Sequence, residues 1–105
     1  PFLYPENKSV YAQYTIQINN RSRFQNELKT FGIPTSIHYP TILPLQPALE
    51  FSEDIDLTKS LYINAYKASQ KVISLPFHPW LKNNEIDYIT KKIEEIIKKD
   101  DSFLG

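Results

Sequence analysis

The sequence contains no cysteine among its 105 residues. This absence excludes disulfides, thiolate metal ligands and cysteine nucleophiles, and it is typical of proteins from a reducing compartment, so we expect a cytoplasmic location. Without cysteine, a metal site would depend on His38 and His78, which lie far apart in the chain and make a poor ligand set. No metal site is predicted.

Glycine is nearly absent as well, with Gly32 and Gly105 as its two occurrences. A glycine-rich loop that cradles phosphates therefore cannot form from this sequence. Twelve basic and twelve acidic residues cancel, so the chain has no overall field that would attract nucleic acid or an anionic membrane surface. The apolar runs are also too short for a membrane span. We predict neither nucleic acid nor membrane as a partner.

The length predicts one domain. Residues 1–8 begin with proline and are typical of a linker, which suggests a piece of a longer protein. The pattern of strands and helices covers residues 9–99, and residues 100–105 are assigned to a tail.

The first half of the chain alternates and then becomes helical. Val10 to Ile18 has the period of two of a strand covered on one side. A helix should follow, capped by Asn20 and ended by Gly32 in the left-handed conformation, with one apolar face. That face consists of Phe24, Leu28 and Phe31. A second strand is predicted over residues 33–39, ended by Pro40.

The second half begins with a proline-bearing loop over residues 40–57. A helix from Leu57 to Lys71, the short strand "VISLP" and a strongly amphipathic helix capped by Asn83 or Asn84 follow. The apolar face of this last helix comprises Ile86, Ile89, Ile93, Ile96 and Ile97. The order of elements predicts the α+β class, a small sheet with helices packed largely on one face.

His38 is the residue of most functional interest, because it ends a strand beside Tyr39 and before a rigid loop, where a scaffold can present polar groups to a ligand. Alternation places His38 and Tyr39 on opposite faces unless the chain turns at Pro40. A cis bond before Pro40 would let both side chains face one pocket. The residues alone leave two interpretations of His38 open: a structural polar residue or a ligand contact.

Other polar residues carry weaker signals. Ser36 and Ser74 lie near the two histidines, but the spacing supplies neither an orienting carboxylate nor oxyanion donors, so a hydrolase is not predicted. His78 is interpreted as a turn residue.

Two long stretches, "VYAQYTIQINNRSRFQNELKTFGIPTSIHYPTILPLQPAL" and "KASQKVISLPFHPWLKNNEIDYITKKIEEI", resemble a known family. The combined motifs are a tyrosine-rich first strand, a helix ending in "GI", "HYP" followed by "QPA", and "SLP-HP-L" before the last helix. They resemble the C-terminal domain of the DegT/DnrJ/EryC1/StrS sugar aminotransferases, which act on nucleotide-linked keto sugars.

The resemblance implies the small C-terminal domain of a fold-type I pyridoxal 5′-phosphate aminotransferase. The lysine that forms the Schiff base would lie in a large domain outside this chain, so no catalytic residue is expected here and the isolated chain should be inactive. The parent enzyme would be a homodimer that transfers an amino group from glutamate to a nucleotide-linked keto sugar. Similarity of "VYAQYT" to some members suggests a UDP-hexuronic acid aminated at C3, for cell-surface polysaccharide synthesis.

The resemblance also implies site residues. His38 and Tyr39 of "HYP" would contact the sugar, with Gln46 of "QPA" as a further polar contact. Many relatives have histidine where this chain has Pro44, so this loop is expected to recognise its sugar differently. The alternative hypothesis is a non-catalytic module of the same fold that binds a sugar nucleotide or mediates dimerisation.

Overall fold

The computed structural model describes residues 2–49 and 54–104. It contains two strands, four α-helices and two short 3-10 turns, which confirms the predicted α+β class. In chain order the elements are β1 (Tyr14–Gln17), α1 (Arg21–Thr30), a turn at Leu43–Leu45, α2 (Ile55–Leu61), α3 (Ile63–Lys71), β2 (Val72–Leu75), α4 (Asn83–Lys99) and a turn at Asp101–Phe103.

The sheet is an antiparallel pair in which Thr15 lies opposite Ser74. On the other side of β2, the predicted strand over residues 33–39 is reduced to a single bridge between Ser36 and Ser74. The prediction of a full strand was therefore wrong. Pro34 and Pro40 explain the difference, because neither has a backbone N–H for a ladder.

The first strand is shorter than the predicted Val10 to Ile18. Val10 is 88% exposed, and Tyr11 has a positive φ of 45°, which interrupts an extended backbone. β2, its partner, ends before Pro76, so the residues that precede Tyr14 meet no ladder partner. Alternation alone overestimated this strand because it does not report the length of the partner.

The first helix ends as predicted but begins differently. Gly32 adopts a φ of 72° after the last turn, the conformation that glycine tolerates at a helix C-terminus. Asn20 precedes the helix without a side-chain capping bond. Its amide instead donates to Ser102 Oγ at 3.3 Å, so Asn20 links α1 to the end of the chain.

The predicted helix from Leu57 to Lys71 is divided into α2 and α3, with Tyr62 at the break. α2 begins earlier than predicted because the Asp54 carboxylate accepts a hydrogen bond from the Leu57 N–H at 2.9 Å. An aspartate in this position satisfies one of the free amide groups of the first turn.

The last helix begins at Asn83, so the asparagines do not cap it, and that part of the prediction was wrong. Lys82 holds the cap position, and its N–H donates to a Glu85 carboxylate oxygen at 2.8 Å. Glutamate three residues into a helix commonly makes this bond. In the described part of the chain, no helix has the length and apolar character needed to cross a membrane.

The core lies between the sheet, α1 and α4. Its buried members are Ile18, Phe24, Leu28, Ile33, Ile73, Ile96 and Phe103. Phe103 is 1% exposed and meets the Phe24 ring edge to face at a centroid distance of 5.5 Å. Phe103 comes from the stretch that the sequence assigns to a tail, so these last residues contribute to the core.

Candidate functional site

His38 is held by a chain of hydrogen bonds that crosses the sheet. Its Nδ1 lies 3.1 Å from Ser74 Oγ, and Ser74 Oγ lies 2.8 Å from Thr15 Oγ1. Ser74 is 6% exposed. A buried hydroxyl with two partners fixes the orientation of the imidazole ring more firmly than solvent could.

The strand pattern explains why these three side chains meet. Ile73 points into the core, so Ser74, the next residue, points to the opposite face. Thr15 is the direct cross-strand partner of Ser74. Paired backbone bonds between Ser36 and Ser74, at 3.1 and 2.7 Å, set the position of His38 two residues later. The site therefore lies on the sheet face away from the core.

Tyr39 lies next to His38, with the two rings nearly perpendicular and their centroids 5.6 Å apart. The peptide bond between them is cis; the sequence suggested a cis bond one residue later, before Pro40, and that suggestion was wrong. Both side chains nevertheless line one pocket, which is the arrangement that a turn at this point was expected to produce.

The pocket shared by His38 and Tyr39 has a volume of about 560 Å³. The size and the mainly apolar wall with a few polar groups are usual for small-molecule sites. One wall comes from the loop Thr41–Pro44 and the other from residues on or next to α3, namely Tyr62, Ala65, Ala68, Ser69 and Val72. Pro44, whose loop was expected to recognise the sugar differently, is thus part of the wall.

Gln46 does not line this pocket. Its amide donates to the Thr41 carbonyl at 3.3 Å, an interaction within the loop. The structure therefore brings His38 and Tyr39 together and leaves Gln46 outside the pocket wall.

A second cavity of about 330 Å³ is also lined by His38. Its polar lining residues include Gln13, Thr35 and Ser36, together with the exposed His78. No group of three or more potential metal-binding side chains occurs in residues 2–49 and 54–104.

Residues 3–94 match the model of the DegT/DnrJ/EryC1/StrS aminotransferase family. This match extends over most of the chain. The chain belongs to this family. The sequence resemblance based on "HYP", "QPA" and the last helix is thereby confirmed.

Two relatives illustrate how the family match is distributed. The chain is 43% identical over 89 residues to a protein of Pseudomonas aeruginosa named UDP-2-acetamido-2-deoxy-3-oxo-D-glucuronate aminotransferase, covering 85% of this chain and 23% of the relative. It is 35% identical over 89 residues to a pleiotropic regulatory protein of Geobacillus stearothermophilus, with the same coverage of each chain. The chain thus spans about a quarter of the length of these family members.

A solved structure supports the fold. The crystal structure of a DegT DnrJ EryC1 StrS aminotransferase from Brucella abortus superposes with a TM-score of 0.72 at 31% sequence identity, covering 91% of this chain and 25% of the other. The described elements therefore have the arrangement of one part of a longer aminotransferase chain.

The residues that line the two cavities beside His38 do not fit a pyridoxal phosphate site by themselves. Such a site needs a lysine amine for the Schiff base and several donors for the phosphate. Neither cavity beside His38 is lined by a lysine. Lys92 and Lys98 instead form ion pairs with Glu95 and Glu94 on α4.

Sequence reasoning missed Ser74 and Thr15 as partners of His38. The available signal was a serine inside the otherwise apolar strand "VISLP" and a threonine on the outer face of the first strand. Alternation assigns each to the non-core face. Their pairing depends on the register between two strands that are distant in sequence, which local patterns do not report.

Proposed function

We propose that this chain is the small C-terminal domain of a pyridoxal phosphate-dependent aminotransferase that acts on nucleotide-linked keto sugars. Its contribution is substrate binding: His38 and Tyr39 contact the sugar. The amino-group donor is glutamate, and the lysine that carries the cofactor belongs to another part of the enzyme. The proposed enzyme works as a homodimer in the cytoplasm.

One observation carries the proposal. The imidazole of His38 and the phenol of Tyr39 lie side by side on the wall of the 560 Å³ pocket. An imidazole and a phenol can both donate hydrogen bonds to sugar oxygens. Ala65 and Ala68 on the facing wall leave room for a ring. The arrangement supports a role in binding and orienting a sugar.

A more specific substrate is supported by the relative at 43% identity, whose name specifies a UDP-linked 3-oxo-glucuronate. We propose a UDP-hexuronic acid with a keto group at C3, used for cell-surface polysaccharide. A carboxylate on the sugar would suit a histidine, because hydrogen bonds to a charged group are about twice as strong as neutral ones. Pro44 contributes an apolar side chain to the loop wall, so fewer polar contacts come from that side.

The cofactor and this domain have separate roles in the proposed reaction. In the whole enzyme, pyridoxal phosphate held by another part of the protein would supply the electron sink for amine transfer. His38 and Tyr39 hold the sugar so that its keto carbon faces the reacting amine. Because the sugar is already oriented when it reacts, the barrier is lower. Ile42 and Leu43 offer apolar contacts to this side of the sugar.

The test uses His38→Ala and Tyr39→Phe in the whole enzyme with a UDP-linked 3-oxo-hexuronic acid and glutamate. Loss of one hydrogen bond to the sugar should lower kcat/KM about tenfold to a hundredfold in each variant. The larger value applies where the bond is made to a charged group. The visible absorption of the bound cofactor should stay the same, because neither residue belongs to its site.

His78→Ala is the matched control, since it removes the chain's other histidine, which is exposed and does not line the pocket. Its kcat/KM should equal that of the unmodified enzyme. Unchanged turnover in both His38→Ala and Tyr39→Phe would overturn the substrate-contact assignment. Binding of the UDP sugar without any amine transfer by the unmodified protein would favour the non-catalytic module instead.

A further inference from the structure

We infer that Ser74, which accepts a hydrogen bond from Thr15, is a positioning residue that holds His38 as the tautomer with its proton on Nε2, so that the neutral ring presents a hydrogen-bond donor to the pocket. The inference starts from the chain of contacts Thr15 Oγ1, Ser74 Oγ and His38 Nδ1, at 2.8 and 3.1 Å. Its consequence for a substrate rests on the proposed function, but its consequence for the ring does not.

The direction of the chain can be decided by counting protons. A serine hydroxyl has one proton, so Ser74 can donate either to Thr15 or to His38, but not to both. If Ser74 donates to Thr15, then His38 Nδ1 must carry a proton and donate to Ser74. If Ser74 donates to His38, then Nδ1 is an acceptor and Thr15 donates to Ser74.

The two directions leave different donors without a partner. In the first, the Thr15 hydroxyl proton is left over, and the described residues offer Thr15 no second hydrogen-bond partner. In the second, the Nε2 proton is left over, on a ring that lines two cavities open to ligand or water. Thr15 is half-buried in the sheet, where an unpaired donor is more costly than in an open pocket. The second direction is therefore favoured.

This direction selects substrate atoms. A neutral His38 with its proton on Nε2 donates to a ligand oxygen through Nε2, while Nδ1 accepts from Ser74 and is not free to accept from a ligand hydroxyl. The favoured ligand atom next to His38 is then a hydrogen-bond acceptor, such as a carboxylate, keto or hydroxyl oxygen of the sugar. A ligand that presents only hydroxyl protons at this point would gain nothing from the neutral imidazole.

Nitrogen-15 NMR of the histidine side chains tests the inference directly. In the neutral ring, Nδ1 of His38 should resonate as an unprotonated acceptor and Nε2 as a protonated donor. The measurement can be made on this chain and on the whole enzyme. The His38 signals are identified as those that disappear in His38→Gln. A proton on Nδ1 in the unmodified protein would overturn the inference without any further variant.

Two serine variants test whether Ser74 is responsible. Ser74→Ala should move the two resonances toward each other, because the ring can then exchange between tautomers. Ser36→Ala is the matched control, since the Ser36 side chain is exposed and this residue contacts Ser74 through its backbone. Its spectrum at His38 should not change. Resonances that stay fixed in Ser74→Ala would rule out positioning by Ser74.

Thr15→Val separates the two directions a second time. If Thr15 is the donor, its loss leaves Ser74 bonded to Nδ1 and the tautomer unchanged. A switch from Nδ1–H to Nε2–H in Thr15→Val would show that Thr15 is the acceptor and would contradict the inference.

Turnover of the whole enzyme links the ring to the substrate. Ser74→Ala should lower kcat/KM about threefold to tenfold, as expected for a weakened hydrogen bond, and Ser74→Thr, which keeps a hydroxyl, should recover part of the loss. If Ser74→Ala changes the tautomer of His38 but turnover is unaffected in both Ser74→Ala and His38→Ala, the positioning role is retained and the substrate contact is rejected. An unchanged tautomer would reject the positioning role whatever the turnover.

Discussion

The two faces of the small sheet are built in different ways. On the core face, Phe24, Leu28 and Ile73 are fully buried and interlock with α4. On the site face, His38 is held by hydroxyl groups, while Tyr39 and Leu43 remain largely exposed, at 69% and 71%. Apolar packing stabilises the first face, whereas directional hydrogen bonds organise the second. The domain can therefore alter its ligand contacts with little effect on the packing that keeps it folded.

Phe103→Ala should give the largest effect, because it removes a buried ring from the core face. Loss of such a ring typically costs about 3–5 kcal/mol, a large part of the stability of a domain of this size. The free energy of unfolding, measured with urea and circular dichroism, should fall by that amount.

Leu43→Ala is the matched change on the site face. It should alter the free energy of unfolding by less than about 0.5 kcal/mol, the usual range for exposed positions. If Leu43→Ala cost as much as Phe103→Ala, the division between a stabilising face and a binding face would be wrong.

Asp54→Ala should have an intermediate effect, because Asp54 caps α2, which lies beside the loop of the site face. Loss of an N-cap costs about 1 kcal/mol of stability. Circular dichroism should therefore show reduced helicity and a lower urea midpoint for unfolding. Asp56→Ala is the control, since the Asp56 side chain is 96% exposed and its ion pair with Lys59 is weak, with 3.7 Å between Oδ1 and Nζ. An effect of Asp56→Ala as large as that of Asp54→Ala would contradict the capping role.

The smallest effect concerns Asp100, at the end of α4. Bonds from the Ser102 hydroxyl and backbone N–H, followed by the Arg23 guanidinium, lower the pKa of Asp100 below its ordinary value of 3.8. A carboxylate whose pKa is lower in the folded state contributes stability above 3.8, and this contribution is lost as the pH falls through the folded value. The urea midpoint should therefore decline on acidification in this range.

Asp100→Asn should make that acid decline shallower and leave the slope near neutral pH unchanged. Because the Asp100 side chain is partly exposed to solvent, we expect a modest change. An identical acid profile in Asp100→Asn would show that this carboxylate does not contribute.

Periodic elements were the most predictable part of the fold. The isoleucines of α4 and the apolar face of α1 repeat at helical spacing, and Gly32 marked the end of α1 correctly. Strand extent was less predictable, because a strand is as long as its partner allows. β1 was overestimated for that reason, and the segment over residues 33–39 is limited by Pro34 near its start and by Pro40 directly after it.

The site was predictable in part. His38 and Tyr39 could be selected from the end of a predicted strand and from the "HYP" resemblance, and the structure places both on one pocket. Their roles in binding stay predictions, as does that of Gln46, which lies away from that pocket. Ser74 could not be linked to His38 from local sequence, because the contact arises only when two distant segments pair.

The pairing of Thr15 with Ser74 has a further consequence for folding. Neighbouring residues of β2 point to opposite faces, so a shift of one residue would place Ile73 or Leu75 beneath His38 and turn the serine into the core. An imidazole bonded to Ser74 can form only in the correctly aligned sheet. The side-chain signal of His38 therefore serves as an internal marker of strand alignment in any preparation or variant of this domain.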